Sequence, residues 1–418
     1  MSKKRLILFG SIFAGLILLA VLVYQIPSIK DRLSWKYETT RVLIARLLNP
    51  VEAAPTPLPT PTTEFTPSPT LIPTTSPTPT ATFTPTPGPT STPTPTPTPL
   101  PESVFLPPPP WVKQTANNCG PATLSLYLHM FQWDGTQYDI DEVIKPKNGD
   151  KNVNVDELVY YVRNYAGWLN VDFRVDGNID LIKQFLAAGI PLIIEEGYYG
   201  TEYYWPNDDG WLGHYLLVTG YDDITQMITV QDSYLGADRQ IEYAKFDEGW
   251  RTFNRVFFFV YLPYQEDTIK TLLGPNWDID YNRQQALDTA NAEAAANPQD
   301  AFAWFNVGSN LVYFERYAEA AQAYDTARQI GLPQRMYRYQ FGPFFSYFHA
   351  NRMDELMAVT EYALQITDNS EEALLWRGWG LYRQGDAAAA LAKFNAALAA
   401  NPFYTDAQYA IDFINGGG

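Results

Sequence analysis

Gln114-Thr-Ala-Asn-Asn-Cys-Gly-Pro-Ala-Thr123 runs directly into Leu124-Ser-Leu-Tyr-Leu-His-Met130, and the junction between the two decides how the chain is read. The first part is polar and turn-like. The second places Leu124, Leu128 and Phe131 on one face of a helix. Cys119 therefore stands at a helix amino terminus, where free backbone N–H groups and the helix dipole favour a thiolate. Gly120 permits close backbone approach to a substrate, and Pro121 suits a first helical turn. The competing reading of Cys119 is a small buried hydrophobe. Because it is the only cysteine among 418 residues, there is no internal disulfide framework and no multi-cysteine zinc site, so a chemical role would be nucleophilic or redox.

Further along, Gly213-His-Tyr-Leu-Leu-Val-Thr-Gly-Tyr221 puts His214 at the start of an apolar strand. An imidazole there can take a thiol proton near neutral pH; a strand-capping structural histidine is the plainer alternative. His129 sits on an apolar helix and His349 among helical repeats, so both are poorer candidates. Asp232, in Val230-Gln-Asp-Ser-Tyr234, ends the next strand, and the turn at 221–226 can bring it alongside His214 to orient the ring. An ordinary turn aspartate is its alternative. Gln114, upstream of the cysteine, can donate to a developing oxyanion beside the Cys119 amide, a role that Asn117 or Asn118 could also fill.

These residues lie in a segment, 111–265, that reads as an α+β domain. Helices are expected at 121–130, 156–166 and 179–188. Short β-branched or aromatic runs at 191–195, 215–220, 227–231 and 256–262 then predict a largely antiparallel sheet. Residues 114–123, the Gly189-Ile-Pro-Leu-Ile-Ile194 strand, the 213–221 block and Asp232 together resemble the bacteriocin-processing (double-glycine) cysteine peptidases, family thirty-nine, and especially their stand-alone relatives. The resemblance implies a papain-like fold in which Cys119 is nucleophile, His214 general base and acid, Asp232 the orienting residue and Gln114 the oxyanion donor. Asn118 and Ser233 stand where that family commonly has an acidic residue and a proline. The exporters' transporter domains are absent from these residues, so cleavage after a double glycine is not implied.

Near His214, Glu195, Glu196, Asp208 and Asp209 are a possible acidic rim for a basic substrate group, or simply a solvated loop. Tyr198, Tyr199, Tyr203, Tyr204, Trp205 and Trp211 suggest an aromatic flap beside the cleft, with core packing as the alternative.

The flanks differ in kind. After a basic tail at 1–5, residues 6–26 form an apolar run long enough to span a bilayer, with the tail inside. It reads as an uncleaved signal anchor rather than a cleaved secretory signal, and either places the remainder outside the cytoplasm. A juxtamembrane helix is expected within 27–53, with Trp35, Leu43 and Leu47 on one face. Residues 54–110 are Thr-Pro repeats, expected to be a disordered, extended spacer whose threonines are candidate glycosylation sites.

From 271 to 418 the chain is alanine-rich. Trp304, Gly308, Leu311, Ala320, Tyr324 and Ala327 recur in nearly the same spacing as Leu374, Gly378, Leu381, Ala390, Phe394 and Ala397, resembling tetratricopeptide repeats in an all-α solenoid. The stretch between fits less well, with Pro343 and Phe344 at the small-residue position.

A net charge of -17 excludes a nucleic-acid surface, and no cofactor or metal is expected. Three functions remain: an anchored thiol peptidase with repeats that recruit a peptide substrate or protein partner, a non-catalytic adaptor, and a cell-wall peptide amidase or transpeptidase.

Overall fold

The apolar runs become strands because β-branched and aromatic side chains pack well on a pleated surface. The computed structural model describes residues 26–58, 99–145, 153–201 and 203–416, with a few positions between 15 and 24. Its strands are β1 Ser103–Phe105, β2 Asn170–Arg174, β3 Leu192–Tyr199, β4 Trp211–Asp222, β5 Met227–Asp232, β6 Gly236–Glu242 and β7 Phe257–Tyr261. They form one antiparallel sheet in the order β2-β7-β3-β4-β5-β6, with β1 paired to β4.

Helices α1 Pro27–Leu48, α2 Cys119–His129, α3 Gln137–Ile144, α4 Val155–Tyr165, α5 Ile179–Ala187, α6 Tyr243–Trp250 and α7 Glu266–Leu273 precede, interrupt and follow the sheet. Leu124, Leu128, Leu158 and Val162 pack on one face with Ile193, Tyr215, Leu217 and Phe258. Ile182, Phe185, Phe246 and Ile269 pack on the other with Leu192, Ile194, Leu216 and Phe257. Successive residues of β3, β4 and β7 thus enter opposite cores, which is why these strands read as unbroken apolar runs. The sheet's two edge strands, β2 and β6, are missing from the sequence expectations for the converse reason. NVDFR and GADRQIE are half-solvated and carry no apolar run.

Two domain limits are corrected. The folded part begins before residue 111: β1 lies within the stretch read as spacer, Asp223 N–H donates to the Glu102 carbonyl and Tyr221 Oη to that of Pro101. It also extends past 265, since α7 sends Ile269 and Leu273 into the sheet core.

At the other end of the Thr-Pro stretch, Val51 is buried, Pro55 accepts two bonds from Arg328, and Leu58 N–H donates to Glu355 Oε1 at 2.5 Å. Both ends of that stretch are therefore fastened to one folded body. Residues 59–98, and most of 1–26 including the proposed span, lie outside the described residues. Among the described residues no helix is long and apolar enough to cross a membrane.

The carboxy-terminal region is helical: α8 Ile279–Ala296, α9 Ala301–Tyr313, α10 Tyr317–Ile330, α11 Met336–Tyr339, α12 Gly342–His349, α13 Met353–Ile366, α14 Glu371–Arg383, α15 Ala387–Ala400 and α16 Thr405–Asn415. Asp300, Ser370 and Asp386 cap the amino termini of α9, α14 and α15 with their side chains. The recurring glycines have a packing reason. A Cβ on Gly308 would sit 2.7 Å from the Tyr324 ring, and one on Gly378 2.4 Å from Phe394. The middle pair departs because Pro343 occupies the first turn of α12, which is only 8 residues long against 13 for α9, and buried Phe344 fills the space.

Gly378→Ala is expected to destabilise the chain. The helix-propensity gain of about 1 kcal/mol is outweighed by overpacking of about 1–3 kcal/mol against a buried ring. A thermal melt should show a Tm lower by a few degrees.

The helical region packs on the end of the sheet bearing the β3–β4 hairpin. Trp211 is held between Phe253, Phe302 and Tyr339, Asn254 pairs with Asn310 at 2.9 Å, and Arg251 pairs with Asp300. Helix α1 lies against both parts. Trp35 stacks on Tyr234 at 6.1 Å, and Arg46 Nη2 donates to the Ile366 carbonyl. The face of α1 that borders the cleft runs through Trp35, Thr39, Val42 and Arg46, with Asn49 just past its end. Leu43 and Leu47, expected on the face with Trp35, are exposed.

Candidate active site

Cys119 is the first residue of α2, and Thr123 one turn on seats that helix against β4 by donating to the Tyr215 carbonyl at 3.1 Å. His214 lies in β4, opposite Glu196 of β3 and beyond the point where β5 pairs. Asp232 ends β5, and its Oδ1 is 2.9 Å from His214 Nε2. The ring also lies near enough to the Cys119 thiol for each to shift the other's titration. Sulfur, imidazole and carboxylate are thus brought together, and the sulfur lines a cleft of about 930 Å³.

Burial pushes the Cys119 thiol up, but the hydrogen bond and charge of His214, with the backbone of Tyr215, bring it below its ordinary value. Burial alone would favour neutral His214; its bonds to Asp232 and Cys119 instead raise it to about 10. Burial works against the Asp232 carboxylate too, yet His214 and the Leu235 and Tyr234 backbone N–H groups hold it down at about 2. The arrangement favours a thiolate–imidazolium pair backed by a permanent anion.

Of the proposed oxyanion donors, Gln114 lines the cleft, with its Oε1 accepting from Ser233 Oγ at 2.9 Å, and its side-chain NH2 is left as the donor. Ser233, standing where proline was expected, is therefore the residue that holds Gln114. Asn118 is committed elsewhere: its amide donates to Gln137 Oε1 and Asp141 Oδ2, both at 2.9 Å. Asn117 is in the left-handed region (φ 56°), and its carbonyl accepts from Lys145 Nζ at 2.5 Å. Gln137, Asp141 and Lys145 thus brace the loop before the nucleophile. Burial raises Asp141 to about 6, against Lys145 and Asn118, which lower it. Sequence reasoning missed them, together with Arg239, which pairs with Asp232, and Tyr339, whose ring packs on Gly213. The Thr136 capping box marks α3 in the sequence; nothing local marks the other contacts.

The acidic rim is overturned. Glu195, Glu196 and Asp208 are buried, Asp208 is spanned by Arg335 at 2.5 and 2.7 Å, and Asp209 accepts from the Gln334 backbone. Glu196, beside His214, is raised to about 7 by burial. The aromatic flap holds in part: Tyr198, Tyr199, Tyr204 and Trp205 line the cleft, whereas Trp211 belongs to the core between sheet and helices. His129 bonds the Gly135 carbonyl and His349 stacks on Tyr317, so neither joins the site.

A sheet with a helix-borne cysteine at one end and a histidine–aspartate pair on neighbouring strands is the arrangement of a papain-like thiol enzyme. Residues 108–257 match the family described as Peptidase_C39 like family, and this segment carries that family's fold. No curated protein matches the chain.

Among solved structures the chain is similar to a putative C39-like peptidase from Bacillus anthracis, at 14% identity over 38% of this chain and 96% of that one, with a TM-score of 0.30. It is also similar to the peptidase domain of Streptococcus ComA, a bi-functional ABC transporter involved in a quorum sensing pathway, at 15% identity over 36% and 96% with a TM-score of 0.29. A third is YrrB, a TPR protein with an unusual peptide-binding site, at 19% identity over 36% and 75% with a TM-score of 0.29.

Proposed function

We propose that the chain is a membrane-anchored, extracytoplasmic cysteine peptidase in which the Cys119 thiolate attacks a peptide carbonyl. The observation that carries this is the His214–Asp232 contact at 2.9 Å with Cys119 and His214 bordering the same open cleft and acting on each other's titration. The oxyanion is held by the Cys119 backbone N–H and the Gln114 side chain. His214 then protonates the leaving amine, the acyl group stays on sulfur, and the same imidazole takes a proton from water as it attacks the thioester. Asp232 remains ionised and keeps the ring turned toward sulfur. The helical region acts as tetratricopeptide repeats that present a peptide substrate or protein partner, and residues 6–26 anchor the chain.

The test is labelling of the full chain with a thiol-directed peptidyl probe, followed by mass-spectrometric profiling of cleaved peptides against Cys119→Ala. Failure of Cys119 to react, with no cleavage, would leave the adaptor reading. Peptidoglycan stem peptides cleaved in preference to protein would favour the cell-wall amidase. Ser233→Ala is expected to lower kcat about fivefold with KM nearly unchanged, because one hydrogen bond orienting Gln114, worth about 1 kcal/mol, is lost. Steady-state hydrolysis of a cleaved peptide reads both constants.

A further inference from the structure

The acidic rim expected from the sequence is replaced by its opposite. In a chain of net charge -17, the cleft around Cys119 is lined by five arginines, at 41, 46, 239, 335 and 338, and two acids, Glu361 and Asp368. Most of these charges are accounted for. Arg239 pairs with Asp232, Arg335 with Asp208, Arg41 with Asp368 at 3.6 Å, and Glu361 with Arg377 at 2.6 Å. Two guanidiniums are left over.

Arg338 has no ion pair among the described residues, and its Nε is buried without a hydrogen-bond partner. Arg46 donates through Nη2 to the Ile366 carbonyl and feels the Asp368 charge, but it has no ion pair among the described residues and its Nε is likewise buried and unpartnered. Leaving a charged donor desolvated and unmade is costly, and two such donors bordering one cleft call for an anion within it. Arg338 is next to Tyr339, which packs on Gly213 beside His214, so the anion would lie close to the reacting bond. Guanidinium groups suit planar carboxylates, which accept two parallel N–H bonds.

The geometry points to a carboxylate subsite: the cleft takes a peptide whose acidic side chain or carboxy-terminal carboxylate is gripped by Arg338 from the helical region and Arg46 from α1. This deepens the peptidase reading and rests on it for the nature of the ligand. It gives the helical region a share in substrate choice, since Arg338 lies on α11 outside the family-matched segment.

The test uses the full chain bearing Cys119→Ala, in detergent, so that binding is read without turnover. The probes are N-acetylated, fluorescent alanine octapeptides. One set carries a single Glu at each position in turn with an amidated carboxy terminus, a second carries Gln in its place, and a third has no Glu but a free terminal carboxylate. Either one Glu peptide should bind about tenfold or more tightly than its Gln partner, identifying a side-chain carboxylate, or the free-acid peptide should exceed its amide by that factor.

Arg338→Gln should erase the preference while Arg338→Lys retains part of it, both with Tm unchanged, and Arg46→Gln should weaken it. Equal binding of acid and neutral peptides, no binding of any carboxylate peptide at millimolar concentration, or a preference that survives Arg338→Gln would overturn the assignment. Reaction of the wild-type Cys119 with the peptidyl probe separates that failure from failure of the peptidase reading.

Discussion

His214→Ala is expected to slow alkylation of Cys119 by iodoacetamide at pH 6 by about a hundredfold, and peptide hydrolysis by about 10³–10⁴-fold. In the wild type the imidazolium offsets the desolvation that would otherwise push the buried thiol up, so thiolate persists below the ordinary thiol value of 9.0. Removing the ring leaves desolvation nearly unopposed. The thiol then titrates above its ordinary range, and reactivity should appear only in alkaline solution.

The wild-type alkylation rate should hold a plateau from the depressed thiol titration up to the loss of the imidazolium proton near pH 10. Stability follows the same signs. The raised His214 contributes fully below its unfolded value of about 6.5 and loses that contribution as pH rises through about 10. The depressed Asp232 contributes above about 4 and loses it as pH falls through about 2. Alkylation rates and melting curves across pH, in both proteins, check each part.

Arg335→Ala is the second large expectation, with a loss of about 3–5 kcal/mol in stability. Arg335 is 1% exposed, bonds both oxygens of Asp208, donates to the Trp211 carbonyl, and lies 4.2 Å above the Trp205 ring. Truncation leaves Asp208 buried, with only the Tyr204 and Gly210 backbone N–H groups to bond it. Removing both charges, as Arg335→Leu with Asp208→Asn, should restore most of the loss, because replacing a buried pair by neutral groups is far cheaper than breaking it. Since this pair fastens the 200–210 loop, one wall of the cleft, to the helices, the single variant should also bind peptide more weakly. Chemical denaturation and peptide titration read the two effects.

What the sequence disclosed was decided by whether a signal is local. The Cys119 helix, the apolar strands and the glycine-to-aromatic spacing of the repeats are written in contiguous residues, and so was the meeting of His214 and Asp232, which needs only one hairpin. The edge strands carry no such pattern. The charges near His214 misled because their partners come from far along the chain: Arg335 lies 127 residues from Asp208. The limits of the Thr-Pro stretch were misplaced for a related reason, since Pro101 and Glu102 contribute backbone carbonyls, and a carbonyl's partner cannot be read from side-chain type.

The two fastened ends of that stretch change where the molecule would do its work. Under the proposed anchoring, a bilayer holding residues 6–26 would stand toward the amino-terminal end of α1, the helix whose Trp35, Thr39, Val42 and Arg46 border the cleft. Its 22 residues amount to about 33 Å at 1.5 Å each. On that proposal the nucleophile works beside the lipid surface, because the described residues at both ends of the Thr-Pro stretch are held by the folded part.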